Sequence, residues 1–469
     1  MVRREYNGPD QVQAQVLSRM GSLEKECRRS PLYAWSNGLT ELDYFPPILY
    51  ISPTNACTHR CAICAHKDYM RKGLSETGER QRGLMDWDRF RAICEQIPDD
   101  VARIYFYKHG EPLLHPRYLE MVQYLRQKVG DKVEIAISTN ATHLRKEMAR
   151  PLADAFDVIL LSTYGLDRQT FASLHGKDDF GKVMANIKDF HDQYAAMPSP
   201  RSKVYFNFVR QAGNLHHSDD EVEEFMISKF PYFHNSIHGV YNFGGRISEG
   251  NFGIFEQEDK SDFPVCVFPY TIFTVLWDGW VSHCMVDVEE VFHGNGRAPD
   301  SSLMDLLNHP GLIDYRRASV QRDFPALWQR RLACEKCNWL FHLRAQSLNY
   351  LTLKTKQIAE GFKLTGHEGL ELSAAEMLYN GLVKYLEGDM AGAAGGMLLA
   401  SEVAGEDWIR EKAALWEKNL RKVYAQRHAL EKWEKAFNNE GITMRHLFKT
   451  TYFESSEQGR KKRLDEHNF

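Results

Sequence analysis

Between residues 47 and 243 short β-rich runs alternate with helical patterns, and this alternation constrains the chain more than any other feature. The runs are "PILYISPT" (47–54), "VARIYFY" (101–107), "VEIAIST" (133–139), "DVILLST" (157–163), "KVYFNFV" (203–209) and "IHGVYNF" (237–243). Between them apolar residues return at helical spacing: Trp87, Phe90, Cys94 and Ile97 in the first interval, Tyr118, Met121, Val122 and Leu125 in the second. Strand alternating with amphipathic helix means parallel βα units. Six units make a partial or complete α/β barrel, or an open sheet. In each of these the working residues sit at the C-terminal ends of the strands.

The flanks read differently. Residues 1–45 are polar and helical in pattern. After about residue 246 aromatics and glycines gather, and Asp278-Gly279 inside "TIFTVLWDGWVSHCMVD" predicts a two-residue hairpin turn. Beyond 345 the chain reads helical to its end. "LVKYLEGDMAGAAGGMLLASEVA" is helix, turn, helix, a single unit with no clear second copy. Residues 406–437 carry an apolar stripe of Ile409, Ala413, Trp416, Leu420, Val423, Leu430 and Phe437, expected to pack on its own domain rather than form a dimer seam. The formal charge of −4 gives no sign of nucleic-acid or anionic-membrane binding, and no apolar run is long enough to span a bilayer. "MVRREYNGPD" lacks the apolar core of a signal peptide, so a cytoplasmic location is expected. The short basic run in "GRKKRLDEHNF" reads as a solvated terminus.

Directly after the first strand, "ISPTNACTHRCAICAHK" places Cys57, Cys61 and Cys64 within eight residues, spaced C-x3-C-x2-C. Four thiolates would close a zinc or iron–sulfur site. Three on a 4Fe–4S cube leave one iron for an exogenous chelator. Taken alone the triplet also fits three buried or zinc-binding thiols. Further segments add weight: "YKHGEPLLHP" after the second strand, "ISTNATHL" after the third, "LLSTYG" after the fourth, and "FASLHGKDDFGKVMANI". Together they resemble the radical S-adenosylmethionine superfamily, over residues 46–245 as a partial (β/α)6 barrel. The resemblance implies a 4Fe–4S cluster on the three cysteines, S-adenosylmethionine on the open iron, and a 5′-deoxyadenosyl radical that removes hydrogen from an unactivated C–H bond. It also implies that Glu111, with Gly110, holds the methionine amino group. Ser138, Asn140 and Ser162 would contact the nucleoside or methionine parts. The sequence departs from the family pattern at His109, where a glycine is usual, and at Ile63, where an aromatic usually meets adenine. The carboxylate-gripping arginine is missing, leaving His175 or Lys177 as substitutes.

A second set, Cys266, Cys284, Cys334 and Cys337, follows as C-x12-G-x4-C, a gap, then C-x2-C. It resembles the twitch or SPASM-like domains of radical enzymes, in a small α+β auxiliary cluster domain over 246–345. In cofactor architecture it is most similar to the inosamine dehydrogenases of butirosin biosynthesis. The implied complement is two 4Fe–4S clusters, with zinc as the alternative at the second site. A fully ligated cluster can accept an electron without chelating substrate. That favours oxidation; the substrate expected is a small molecule such as a sugar, cyclitol or aminoglycoside-like compound, and the reductant one such as flavodoxin or ferredoxin. The alternatives are a peptide- or protein-modifying enzyme, a redox-neutral dehydratase or epimerase, and a zinc-stabilised interaction protein. Residues 346–469 form a C-terminal helical extension. Cys27 and Cys94 are expected to be plain buried thiols. His59 and His66 are expected to hydrogen-bond within the loop. Catalytic candidates are Tyr107, Lys108 and Arg210; Tyr164 and Asn242 are further polar residues at strand ends.

Overall fold

The computed structural model describes residues 9–65, 83–240, 243–244, 246–247, 260–287, 296–330, 332, 334–337, 349–364, 372–438, 451–455 and 461–463. His66 and Asn242, and the side chain of Phe437, lie outside the described residues. Six parallel strands stand in chain order: β1 (Ile48–Ile51), β2 (Arg103–Tyr105), β3 (Glu134–Thr139), β4 (Val158–Ser162), β5 (Lys203–Arg210) and β6 (His234–Gly239). The sixth begins three residues before the expected run. Between them lie helices Trp87–Cys94, Tyr118–Val129, Ala149–Ala155, Arg168–His175, Phe180–Ala195 and Asp219–Lys229. Tyr118, Met121, Val122 and Leu125 are buried on one face, as their spacing predicts.

Both faces of the sheet are largely covered, but by different things. Successive residues of a strand point to opposite sides. Ile104, Ile135, Ile137, Ile159, Leu161, Val204, Phe206 and Phe208 join the continuous apolar core with the helices. Their neighbours Tyr105, Ala136, Ser138, Leu160, Ser162, Tyr205 and Asn207 turn to the concave side.

The auxiliary region does not form a separate sheet. β7 (Ile272–Val275) pairs in parallel with β1, Ile48 opposite Ile272 and Ile51 opposite Val275. β8 (Val281–Ser282) folds back on β7. The barrel sheet therefore continues into the segment that carries the second cysteine set. The hairpin loop is one residue longer than expected. The Leu276 N–H donates to Trp280, and Gly279 takes φ +92° at the left-handed position that follows a type I turn. A Cβ at Gly279 would sit 2.4 Å from the Ala298 carbonyl oxygen, so only glycine fits.

The N-terminal helices Pro9–Arg28 and Pro31–Asn37 and the C-terminal helices Ala374–Glu387, Met390–Val403 and Asp407–Asn438 form one layer. Trp416 is fully buried between Tyr33 and Tyr385, and its Nε1 donates to Glu24 at 3.2 Å. Ile409, Ala413, Leu420, Val423 and Leu430 are buried with it, so the stripe packs inward as expected. Cys27 and Cys94 are buried. The chain is not helical to its end: β9 (Thr451–Ser455) pairs antiparallel with β6, and β10 (Lys461–Arg463), part of the basic run, pairs with β9. Among the described residues no helix is long and apolar enough to cross a membrane.

Candidate active site

The concave face of the sheet encloses a chamber of about 450 Å³. At its floor Arg103 and Glu134 form an ion pair at 2.7 Å. Above them the wall is aromatic and polar: Tyr50, Tyr105, Tyr107, Tyr205, Asn207 and His238. Tyr50 stacks on Tyr105, ring centroids 4.6 Å apart. Burial pushes the His238 imidazole below its ordinary range, favouring the neutral ring. Its Nε2 is 3.0 Å from Asn207 Oδ1. Among these the sequence reading found only Tyr107. The others were reachable from period-two alternation, had the concave face been identifiable in advance.

Cys57, Cys61 and Cys64 line the same chamber, as do Gly110, Glu111, Ser138, Asn140 and Ser162. The cysteine loop is tied to its surroundings by backbone bonds. The Arg60 and Ala62 N–H groups donate to the His175 and Leu174 carbonyls at 3.0 and 2.8 Å, and the Glu111 N–H donates to the Ala56 carbonyl at 2.7 Å. Gly110 has φ +75°, and a Cβ there would lie 2.5 Å from the Ala56 carbonyl oxygen, so glycine lets the two loops meet. Glu111 is only 2% exposed. Its carboxyl accepts from Thr139 Oγ1 at 2.6 Å, the Asn140 N–H at 2.7 Å and the Leu113 N–H at 3.1 Å. Burial nevertheless prevails over these bonds and pushes it up to about 7. Asn140 Nδ2 approaches Cys57 Sγ at 3.7 Å and Thr58 Oγ1 at 3.2 Å, which makes this side chain an organiser of the loop. Ser138 and Ser162 face each other at 3.1 Å.

Ile63 packs with Val209 and Val240 against Tyr164, giving an apolar shelf at the rim. Three residues do not fit their expected roles. Arg210 is absent from the chamber lining; its guanidinium is taken by Asp219 and by the carbonyls of Asn214 and His217, so it braces the loop after β5. His175 is fully buried with both ring nitrogens engaged, Nδ1 3.6 Å from Cys61 Sγ and Nε2 accepting from the Tyr164 N–H at 3.1 Å. Lys177 pairs with Asp179 at 2.8 Å. Neither is placed to grip a carboxylate in the chamber. His59 likewise does not bond within its own loop as expected: it lies 3.5 Å from Asp179 and edge-on to the His175 ring, outside the loop.

The four later cysteines line one second cavity, with Phe263, Phe268, Tyr315, Phe324 and Leu327. Burial pushes the Cys284 thiol up to about 12, and Cys266 and Cys334 are raised by burial and by their fellow cysteines. Such thiols give up their protons readily only in exchange for a metal. The supporting frame comes from distant segments. Trp35 Nε1 donates to the Val265 carbonyl at 2.9 Å, and the Val265 N–H donates to Gln426 Oε1 at 3.3 Å. The buried Arg316 guanidinium bonds Thr40, Leu307, Asn308 and His283.

The wall between the two cavities is thin. Cys284 lines the second cavity and the next residue, Met285, lines the chamber. Phe243 lines the chamber and Gly244 the second cavity. Lys108, in the chamber lining, donates from Nζ to the Cys284 carbonyl at 3.3 Å, and its charge favours the Cys284 thiolate.

The donor sets suit iron–sulfur clusters. Three thiols at a chamber rim fit a 4Fe–4S cube with one iron left to a small ligand, and four thiols on a separate cavity fit a fully ligated one. Residues 51–196 match the radical SAM superfamily. Over 109 residues, 23% of this chain and 27% of the relative, the sequence is 34% identical to the tungsten-containing aldehyde ferredoxin oxidoreductase cofactor-modifying protein of Pyrococcus furiosus. It is 25% identical to the GTP 3′,8-cyclase of Cronobacter sakazakii over 172 residues, 37% of this chain and 49% of that one. The chain thus spans about a quarter and about half of these relatives. Among solved structures, BtrN in complex with AdoMet and 2-DOIA overlaps 63% of this chain and 94% of its own at 15% identity, with a TM-score of 0.40.

Proposed function

Because the chain belongs to the radical S-adenosylmethionine superfamily, we propose that it oxidises a small hydroxylated ring molecule by two electrons, a sugar, cyclitol or aminoglycoside-like compound. When bound, the cluster on Cys57, Cys61 and Cys64 and its S-adenosylmethionine supply a 5′-deoxyadenosyl radical, and a second cluster on Cys266, Cys284, Cys334 and Cys337 supplies an electron acceptor. Glu111 accepts hydrogen bonds from the methionine amino group. Ser138 and Ser162 bind the nucleoside hydroxyls or the methionine carboxylate. Asn140 steadies the cysteine loop. Ile63, Val209, Val240 and Tyr164 give adenine an apolar shelf.

The observation that carries the oxidation is the thin wall, with Cys284 and Met285 facing opposite cavities. With both groups bound, they would supply hydrogen-atom removal from a C–H(OH) centre and an acceptor for its remaining electron, and the chain's own part would be to take the hydroxyl proton, so that the centre becomes C=O. His238 is the proton acceptor: its Nδ1 lies 3.0 Å from the Gly239 carbonyl oxygen and its Nε2 3.0 Å from Asn207 Oδ1, two acceptors that hold the protonated ring. Lys108 favours arrival of negative charge beside Cys284. The tyrosines offer ring faces and hydroxyls that suit a polyol. Flavodoxin or ferredoxin furnishes the initial electron.

A peptide substrate is the second reading. It is favoured by Leu398, Leu399 and Val403, exposed together on helix Met390–Val403. Incubation with dithionite, S-adenosylmethionine and panels of polyols and peptides tests both. The expected result is 5′-deoxyadenosine with a product two hydrogens lighter, from a polyol. A product of unchanged mass or one lacking water points to redox-neutral chemistry instead.

A further inference from the structure

His175 touches neither the chamber nor the second cavity, yet it is among the most constrained side chains in the molecule. It is 0% exposed. Its ring lies between Phe171 and Tyr164, with centroids 4.0 and 4.6 Å away and planes within 18° and 12°. Stacking on both faces removes ring rotation. The two nitrogens then settle the tautomer. Nε2 accepts the Tyr164 backbone N–H at 3.1 Å, so it carries no proton. A neutral imidazole with an accepting Nε2 has its hydrogen on Nδ1. Nδ1 stands 3.6 Å from Cys61 Sγ, within reach of an N–H···S hydrogen bond. The same helix end also holds the loop through its backbone, since the Leu174 and His175 carbonyls accept from Ala62 and Arg60.

We infer that His175 is a positioning residue that donates a fixed hydrogen bond to the Cys61 sulfur and thereby raises the reduction potential of the cluster on Cys57, Cys61 and Cys64. A donor to a ligating sulfur stabilises the more negative, reduced state of a cluster. A ring that cannot turn delivers this bond without the reorganisation a solvent donor would need. His59 and Asp179 support the arrangement from outside, His59 edge-on to His175 and 3.5 Å from Asp179.

The test is a redox titration of the full-length, cluster-loaded protein by electron paramagnetic resonance. It reads only the signal that changes when S-adenosylmethionine is added, so that the outcome is independent of whether the second cysteine set holds a cluster. His175→Phe keeps the stacked shape and removes the donor; His175→Asn restores an N–H near the Nδ1 position. In H175F the ratio of reduced to oxidised cluster at a fixed poise should fall about tenfold, a shift of ~59 mV for one electron. H175N should regain at least half of that shift. A change under twofold in an H175F protein with full iron content overturns the inference. An equal fall in both variants assigns the effect to packing and also overturns it. Should H175F fail to load iron, the wild-type protein labelled with nitrogen-15 histidine decides. A histidine nitrogen coupling in the pulsed spectrum of the reduced cluster supports the bond. Its absence, or bound zinc shared by His59, Cys61 and His175, refutes it.

Discussion

The two cysteine sets solve one problem, holding soft metal ligands in a fixed geometry, by opposite means. The first lies within eight residues of one loop, hung from β1 and pinned by the backbone of the loop after β2 and of the end of helix Arg168–His175. The second is drawn from residues 266 to 337 and held from outside, by Trp35 of the N-terminal helices and Gln426 of the C-terminal helix, with the buried Arg316 bracing it from within. The contrast separates two kinds of dependence. The first site relies on the barrel, which forms from local βα units. The second relies on the sheet extension β7–β8 and on both ends of the chain being in place. Damage to the terminal layer should therefore reach the second site first.

The sharpest separation comes from removing ligands. Replacing Cys57, Cys61 and Cys64 by Ala should leave about four of about eight irons. Reductive cleavage of S-adenosylmethionine should fall at least about a thousandfold, since the chemistry resides in the bound group. Appreciable 5′-deoxyadenosine from this variant would show that the first set is not the cleavage site. The reciprocal variant, Cys334→Ala with Cys337→Ala, should keep cofactor cleavage within about tenfold and lose the oxidised product. Because a bound metal contributes folding energy, circular dichroism and retention of the first cluster must accompany the product assay. Full product yield from a folded double variant refutes the relay.

Much of the first site was legible because its signals are local. The cysteine spacing stands in one loop, and Glu111 in "HGEP" and Ser138 and Ser162 at strand ends came from short segments that resemble the radical S-adenosylmethionine superfamily; all of them line one chamber. What escaped depended on distant pairings. Tyr50, Tyr205 and His238 sit on strands buried on both faces, so alternation could not say which face was concave. Arg210 lies at a strand end like a site residue, but Asp219, nine positions on, pulls it into the loop. The parallel pairing of β7 with β1 joins residues more than two hundred apart, and no local pattern carries it. The terminal layer was read as two extensions because the contact of Trp416 with Glu24 and Tyr33 is likewise invisible to periodicity.

Within the first site Glu111 makes the comparison quantitative. Glu111→Gln should weaken S-adenosylmethionine binding by about 1.5–3 kcal/mol, the range for a charge-assisted contact, with no loss of iron. The pH dependence has a definite sign. Burial lifts this carboxyl from 4.5 to about 7, and the ionised form is the one that accepts strongly from the amino group. Below pH 7 binding must expel a proton, so affinity should fall up to about tenfold per pH unit. Above pH 7 this contribution should level off. Equilibrium dialysis at pH 6, 7 and 8 reads the slope, and the difference between wild type and Glu111→Gln isolates the carboxyl. Identical profiles in the two proteins would mean that Glu111 is ionised throughout, and that its three hydrogen bonds outweigh its burial.

The smallest expected effect bears most directly on external support. Gln426 sits on helix Asp407–Asn438, and its Oε1 accepts the N–H of Val265, the residue before Cys266. Gln426→Ala removes that acceptor and leaves the amide dependent on water. At 3.3 Å the bond is long and the site only partly buried, so about 1 kcal/mol of stability is at stake. The loss falls on a segment also held by Trp35, so global unfolding should shift little. Local opening around Cys266 should rise about fivefold, which is the same 1 kcal/mol expressed as an equilibrium constant. A chelator in excess should therefore strip the second set of iron about fivefold faster in Gln426→Ala than in the parent. Iron on Cys57, Cys61 and Cys64, read by the signal that responds to S-adenosylmethionine, should leave at the parental rate. Equal acceleration at both sites would tie the terminal helices to the stability of the whole chain. No acceleration at either would make Trp35 the effective brace, because its bond to the Val265 carbonyl survives the substitution.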